Sequence, residues 1–340
     1  MVLGLAVVLY AAVRIGGSED WQQFRWDDVW QSFRNLRFSY LLLAAAMIFA
    51  SYLLRSLRWR KFLYPIKTVR IGNLLVGTLV GFSAVALLGR PGELVRPWLI
   101  ARKEKLTVSS QAAAWTLERV LDSLTVSGFL GLALYFASTR GGFPEGQEQL
   151  LENFRRGGLV LFCGSVVFGI AISQFQQRRN LIGSLVAWLG RPLPDAMQLQ
   201  LAKMTQSFAD GLASIGSLRN LLFCAAYSFL VWLSVAVAFW SVFQALGDPV
   251  SRLGLSAAVL VIMATTVGSV VQLPGVGGGQ QVAITFTLTR LFEVPLAMAA
   301  TAAVLLWGVA FLLVLIPGLP LAAHEGLTWK RLRSVSKEEL

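Results

Sequence analysis

Long apolar runs broken by short polar stretches set the plan of this chain. The apolar runs are 1–13, 39–58, 71–89, 110–138, 157–175, 219–246, 254–274, 280–292 and 296–323. Several reach the ~20 residues needed to cross a ~30 Å hydrocarbon core. Between them, residues 17–37 mix Trp, Phe and charges, a pattern that suits a helix lying in a membrane interface. Residues 196–216 carry apolar side chains at helical spacing and read the same way. The fold class expected is an all-α polytopic membrane protein.

Two of the runs do not fit as simple crossings. Residues 55–70 hold six Lys or Arg and no acid, and residues 90–105 hold five with two acids. If 71–89 crossed the membrane, these basic stretches would lie on opposite sides, against the positive-inside tendency. The run contains Gly72, Gly77, Gly81 and Gly89. It is therefore expected to form a re-entrant hairpin of two half-helices broken near Gly81-Phe82-Ser83. In 254–292 the sequence QLPGVGGGQQ (272–281) interrupts the apolar run, and 280–292 is short for a span. A second hairpin, entering from the other side, is expected there.

About six full spans and two hairpins result. Each half then reads span, span, hairpin, span, which predicts an inverted repeat with its site near the midplane. The expected organisation is one membrane domain over 1–325, with pseudo-halves 1–138 and 157–323, and a basic cytoplasmic tail over 326–340. This threading puts the basic loops and the C-terminus on the cytoplasmic side of a bacterial inner membrane.

Composition agrees with this plan. The 340 residues are 56% hydrophobic and 14% charged, where a soluble domain carries roughly 25% charged. The net charge of +12 is absorbed by the cytoplasmic loops, so nucleic acid is not an expected partner. Cys163 and Cys224 lie in apolar runs and read as small hydrophobes. No Cys/His spacing suggests a metal, and no cofactor or ATP-binding motif is present. His324 falls where the last run ends and reads as an interfacial residue.

Candidate chemistry concentrates in three places. In GRPGELVR (89–96), Gly89, Pro91 and Gly92 break a helix at the inner mouth of the first hairpin. Glu93 then sits in the first turn of a new helix, where a carboxylate favours the positive helix end. Arg90 and Arg96 either pair with Glu93 or hold a phosphate, to which Arg is suited by its bidentate geometry. An ordinary interfacial basic cluster is the alternative.

In WTLERVLDSL (115–124), Glu118, Arg119 and Asp122 lie inside a spanning run. Glu118 and Asp122, at i and i+4, share a face. Ionisable groups at that depth are costly and face a partner or a wet cavity. They either line a substrate path or lock the helix to the first hairpin. In QLPGVGGGQQ, Gly277 and Gly278 let backbone approach a ligand closely, and Gln272, Gln280 and Gln281 add neutral hydrogen-bonding groups. A plain break between helices is the alternative.

GRPGELVRPWLIARK, ERVLDSL and LPGVGGGQQVA, in that order, resemble the flippase-like or lysylphosphatidylglycerol synthase transmembrane-region family. The resemblance extends from about residue 5 to 325 and covers the membrane domain, without the soluble aminoacyl-transfer domain of the full synthase. It places Gly89, Arg90, Gly92, Glu93, Arg96, Glu118, Arg119, Asp122, Pro274, Gly275 and Gly277 at motif positions. Many members carry an acid shortly after the glycine-rich turn. Gln281 stands there in this chain, which puts proton coupling or cationic-headgroup recognition at that position in doubt.

The function expected is a lipid translocase, not an enzyme, with no catalytic residues. It would move a polar-headgroup, anionic lipid such as a phospholipid or polyprenyl phosphate between leaflets. A membrane-embedded lipid-linked glycosyltransferase or a small-solute transporter is the alternative. The acids on the expected external side (Glu19, Asp20, Asp27, Asp28, Glu145, Glu148, Glu152) sit in polar sequence unlike a catalytic loop. Oligomeric state is left open.

Overall fold

A computed structural model describes residues 25–139, 148–189, 191, 194–212, 217–269, 271–273 and 277–327. The expected first span (1–13), much of the expected interfacial helix, most of the tail, Pro274 and Gly275 lie outside these residues. The protein is all-helical apart from a two-residue ladder. The helices are α1 (Trp26–Arg34), α2 (Phe38–Leu63), α3 (Ile71–Leu88), α4 (Val95–Glu104), α5 (Val108–Thr139), α6 (Glu148–Gln177) and α7 (Arg179–Leu189). They continue with α8 (Asp195–Gly211), α9 (Leu218–Leu246), α10 (Leu255–Gly268), α11 (Gly279–Phe292), α12 (Leu296–Trp307) and α13 (Leu315–His324). A 3-10 turn (Arg90–Leu94) joins α3 to α4, and a π turn (Gly308–Leu312) joins α12 to α13.

Among the described residues, six helical stretches are long and apolar enough to cross a membrane. They are Phe38–Leu63, Ile71–Leu88, Val108–Phe136, Leu151–Phe175, Leu218–Leu246 and Leu296–His324. This is a multi-pass membrane protein. Its central pair is α2 and α9, which run antiparallel. At one end the Arg37 amide donates to the Ala245 carbonyl, and at the other Asn220 donates to the Lys61 carbonyl. Tyr52, Leu79, Phe239, Val242, Phe243 and Ile262 form the core around this pair. A second core gathers on Trp59, Phe62, Leu74, Ile100 and Leu117.

The first hairpin differs from the sequence expectation. α3 is one unbroken helix through Gly81-Phe82-Ser83. Backbone polar groups without water must be satisfied within the helix, so an apolar helix is not broken by glycine alone. The glycines serve close packing instead. A Cβ at Gly77 would lie 2.7 Å from Ile100, and one at Gly81 2.5 Å from the Cβ of Arg96. Such small-residue faces let helix backbones approach.

α3 and α4 therefore form the hairpin, antiparallel, with its tip at Gly89–Leu94. Gly89 turns the chain at φ 70°, and Gly92 is pressed against the Ala84–Val85 backbone. Lys67 and Asn73 close the base on Glu104. GRPGELVR thus lies at the hairpin's tip, not at its mouth, about 27 Å along α3 from the base.

Where the second hairpin was expected, two packed 14-residue helices stand, α10 and α11. Each is about 21 Å long. They are joined through β1 (Gln272–Leu273) and β2 (Gly277–Gly278), and Gly268 abuts Gly279 at the turn. Residues 196–211 are helical in α8, as their spacing predicts, whereas α7 falls where no helix was expected. Cys224 is buried, but Cys163 is exposed on the apolar surface of α6.

Candidate functional site

The second difference concerns α2. Read as an apolar run it ends near residue 58, and the sequence reading counts Arg55 and Arg58 among loop charges. The helix continues to Leu63 and takes both arginines inside. Arg55 is about 12 Å from the helix end by its rise per residue, and Glu118 about 15 Å into α5. Charges at such depth require partners, and these arginines and carboxylates supply one another.

Arg58 is fully buried and forms the centre of the cluster. One guanidinium nitrogen donates to Glu118 Oε1 at 2.5 Å, and the other to Asp122 Oδ1 at 2.6 Å and to Ser228 Oγ of α9 at 2.6 Å. Glu118, also fully buried, takes a second arginine: Arg96 of α4 donates to both of its oxygens, one contact at 3.3 Å. Asp122 accepts from Trp232 Nε1 of α9 at 3.0 Å and from Arg55 at 3.5 Å. Arg96 stacks on Trp59, its guanidinium 4.1 Å from the ring centre. Arg55 lies over Phe82 and Trp232, geometry that adds cation–π attraction in a dry setting.

The cluster forms one wall of a cavity of about 300 Å³, at the lower end of small-molecule sites. Its polar lining comes from Arg55, Arg90, Glu93, Arg96, Arg119 and Asp122, with Ser269 and Gln280 opposite. Tyr52, Phe82, Trp115, Trp232, Trp307 and Phe311 supply its apolar faces. The Tyr52 hydroxyl donates to the Ala310 carbonyl in the π turn at 2.7 Å. This bond ties α2 to the π turn.

Most of the sequence-predicted residues converge, with altered partners. Glu118 and Asp122 pair chiefly with Arg58, Arg55 and Arg96. Arg119 stands further off, at 3.5 and 3.7 Å, with its side chain 44% exposed. Neither Arg90 nor Arg96 pairs with Glu93, which makes no ion pair among the described residues. Arg90 crosses from the tip of the first hairpin to that of the second, donating to the Ser269 carbonyl at 3.1 Å.

From the glycine-rich turn, Gln280 reaches the cavity, while Gly277, Gly278 and Gln281 do not line it. Gln272 lies in β1, paired with Gly278. Asp27, Asp28, Glu148 and Glu152 do not line the cavity either. Sequence reasoning missed Arg55, Arg58, Ser228 and Trp232. The first two carried a usable signal, the i, i+3 spacing of arginines on the flank of an apolar run.

Fold and site together define a class: a polytopic helical membrane protein enclosing an arginine–carboxylate cluster beside a cavity. The chain belongs to the lysylphosphatidylglycerol synthase TM region family, which matches residues 1–318. It is also similar to the glycosyltransferase AglD of Haloferax volcanii, with 27% identity over 300 residues. That match covers 78% of this chain and 46% of the relative, so the chain matches less than half the length of that protein. The expectation of a non-enzyme is corrected by this match, because a protein similar over most of the chain is named for a transferase activity.

Proposed function

We propose that this chain is a membrane-embedded part of a lipid-linked glycosyl-transfer system, and that its cavity holds the phosphate-bearing head of the lipid. The observation that carries this reading is the buried cluster of Arg55, Arg58 and Arg96 with Glu118 and Asp122, edged by the half-exposed Arg119 and placed on a cavity inside helices built for a membrane. A site where arginines outnumber carboxylates in a dry interior favours a bound anion. The similarity to a glycosyltransferase supports sugar chemistry on such a lipid. In that role the cavity's arginines bind and orient the phosphate, and the aromatic faces of Tyr52, Phe82 and Trp232 exclude water.

The test uses purified protein in nanodiscs containing polyprenyl phosphate, supplied in turn with nucleotide-sugar and sugar-lipid donors. Mass spectrometry follows both retained lipid and sugar-lipid product. Retention of polyprenyl phosphate with formation or consumption of a sugar-lipid supports the reading. Retention of bulk lipid alone, with no turnover of any donor, overturns it.

A second reading, translocation of the lipid head, is favoured by one contact. Arg90 and Ser269 bring the tips of the two helical hairpins together at the cavity. In both halves a hairpin lies between long helices, and entry of the two hairpins from opposite sides in an inverted repeat would set such a contact near the midplane. Headgroup scrambling by the protein in sealed liposomes, without any sugar donor, would favour this reading.

A further inference from the structure

The cavity wall carries an imbalance of charge with a definite size. Six ionisable groups line the cavity, Arg55, Arg90, Arg96 and Arg119 with Glu93 and Asp122, and Arg58 and Glu118 lie directly behind. Fully ionised, they leave a net charge of +2. The surplus has a location. Glu118 and Asp122 spend their short contacts on Arg58, which is fully buried behind the cavity, and on Arg96. Arg90 and Glu93, at the hairpin tip, add one charge of each sign without pairing.

The uncompensated charge therefore falls on Arg55 and Arg119. Both approach the same oxygen, Asp122 Oδ2, at 3.5 and 3.7 Å. They come from different helices and both line the cavity.

Two buried donors there also lack an acceptor among the described residues: Nε of Arg55, a residue 7% exposed, and Nε1 of Trp307. Buried donors left without partners are costly and are rare in folded proteins unless something else satisfies them.

We infer that this cavity is built for a phosphomonoester dianion, the terminal phosphate of a lipid carrier, in preference to the phosphodiester monoanion of a phospholipid or a sugar-charged carrier. The inference rests on the lipid-phosphate reading above and sharpens it. A monoester brings about −2 of charge to the surplus of +2. A diester brings −1. Free inorganic phosphate shares the monoester's chemistry, and the apolar chain separates the two sources.

The experiment measures binding to the full chain in nanodiscs through quenching of tryptophan fluorescence. Three probes are used: farnesyl monophosphate, its methyl diester and inorganic phosphate. At pH 7.5 the monoester is expected to bind at least ~10-fold tighter than the diester, one added charge-assisted contact being of that order.

At pH 5 the monoester is mostly a monoanion, its second pKa being about 6, and the preference is expected to collapse toward unity. The diester at each pH controls for titration of the protein itself. Arg119→Gln is expected to cut monoester binding more than diester binding, and Arg119→Lys to restore part of the preference. Should Arg119→Gln fold poorly, the pH series on the unmodified protein still decides the matter.

Equal binding of monoester and diester, with bound lipid still dependent on Arg119, overturns the inference and leaves the lipid-phosphate reading standing. Inorganic phosphate binding as tightly as farnesyl monophosphate overturns both, as does no binding of any probe.

Discussion

Arg58 on α2 and Glu118 on α5 meet at 2.5 Å with neither side chain exposed to solvent. The pair holds two membrane-length helices together through charges that would be prohibitively costly alone. Removing one partner leaves the other buried and unpaired. Glu118→Gln is therefore expected to destabilise the protein by about 3–5 kcal/mol, the usual cost of breaking a buried pair from one side. Thermal unfolding in detergent checks this. Arg119→Gln, at the half-exposed edge of the cluster, should change stability by less than about 1 kcal/mol.

Gly81→Ala puts a methyl group 2.5 Å from the Cβ of Arg96. The helices of the first hairpin must separate, and Arg96 with them. A loss of about 1–3 kcal/mol follows from overpacking of this kind, along with weaker retention of lipid phosphate. Gly72→Ala, where nothing lies within 4 Å of the added carbon, is the control, and its unfolding temperature should be unchanged or slightly raised.

Tyr52→Phe removes the bond from the hydroxyl to the Ala310 carbonyl. The expected cost is about 1 kcal/mol, that of a single partly buried hydrogen bond. Faster amide exchange confined to the π turn and its neighbours would be the local signature, because the turn loses its tie to α2.

The path of the first hairpin is open to labelling. With Cys163 and Cys224 replaced by alanine, single cysteines at Arg70→Cys and Lys105→Cys should react with an impermeant maleimide from the same side of sealed vesicles. Arg252→Cys, beyond the far end of α9, should react from the other. Positions 70 and 105 labelled from opposite sides would mean that 71–104 crosses outright.

The sequence made much of this legible, and its failures have physical causes. The apolar runs located the membrane helices because hydrocarbon tolerates few alternatives to a long apolar helix. Glu118 and Asp122 stood out by the cost of their position. Their principal partners did not, because an arginine at the end of an apolar run looks the same whether it reaches into water or turns inward. The break assigned at Gly81 failed for a related reason. Glycine weakens a helix in water, but Gly77 and Gly81, four residues apart, also form a face where another helix can settle. That spacing was the available signal. The tip at Gly89–Leu94 was legible as a helix break, though its depth was not.

The contact of Gly81 with Arg96 ties the first hairpin to the cluster in a further way. Arg96 leaves α4 where that helix is seated directly on the α3 backbone, so its reach toward Glu118 is fixed by the register of the two helices. A slip of α4 by one turn would move the guanidinium by about 5.4 Å. It would take from Glu118 the second of its two close arginines and drive the Arg96 Cβ off the notch at Gly81. The packing of Arg96 on Gly81 therefore opposes a slip of α4 along α3. Displacement of α4 then carries α3 with it, the two helices being tied again at their base by Lys67 and Asn73 on Glu104.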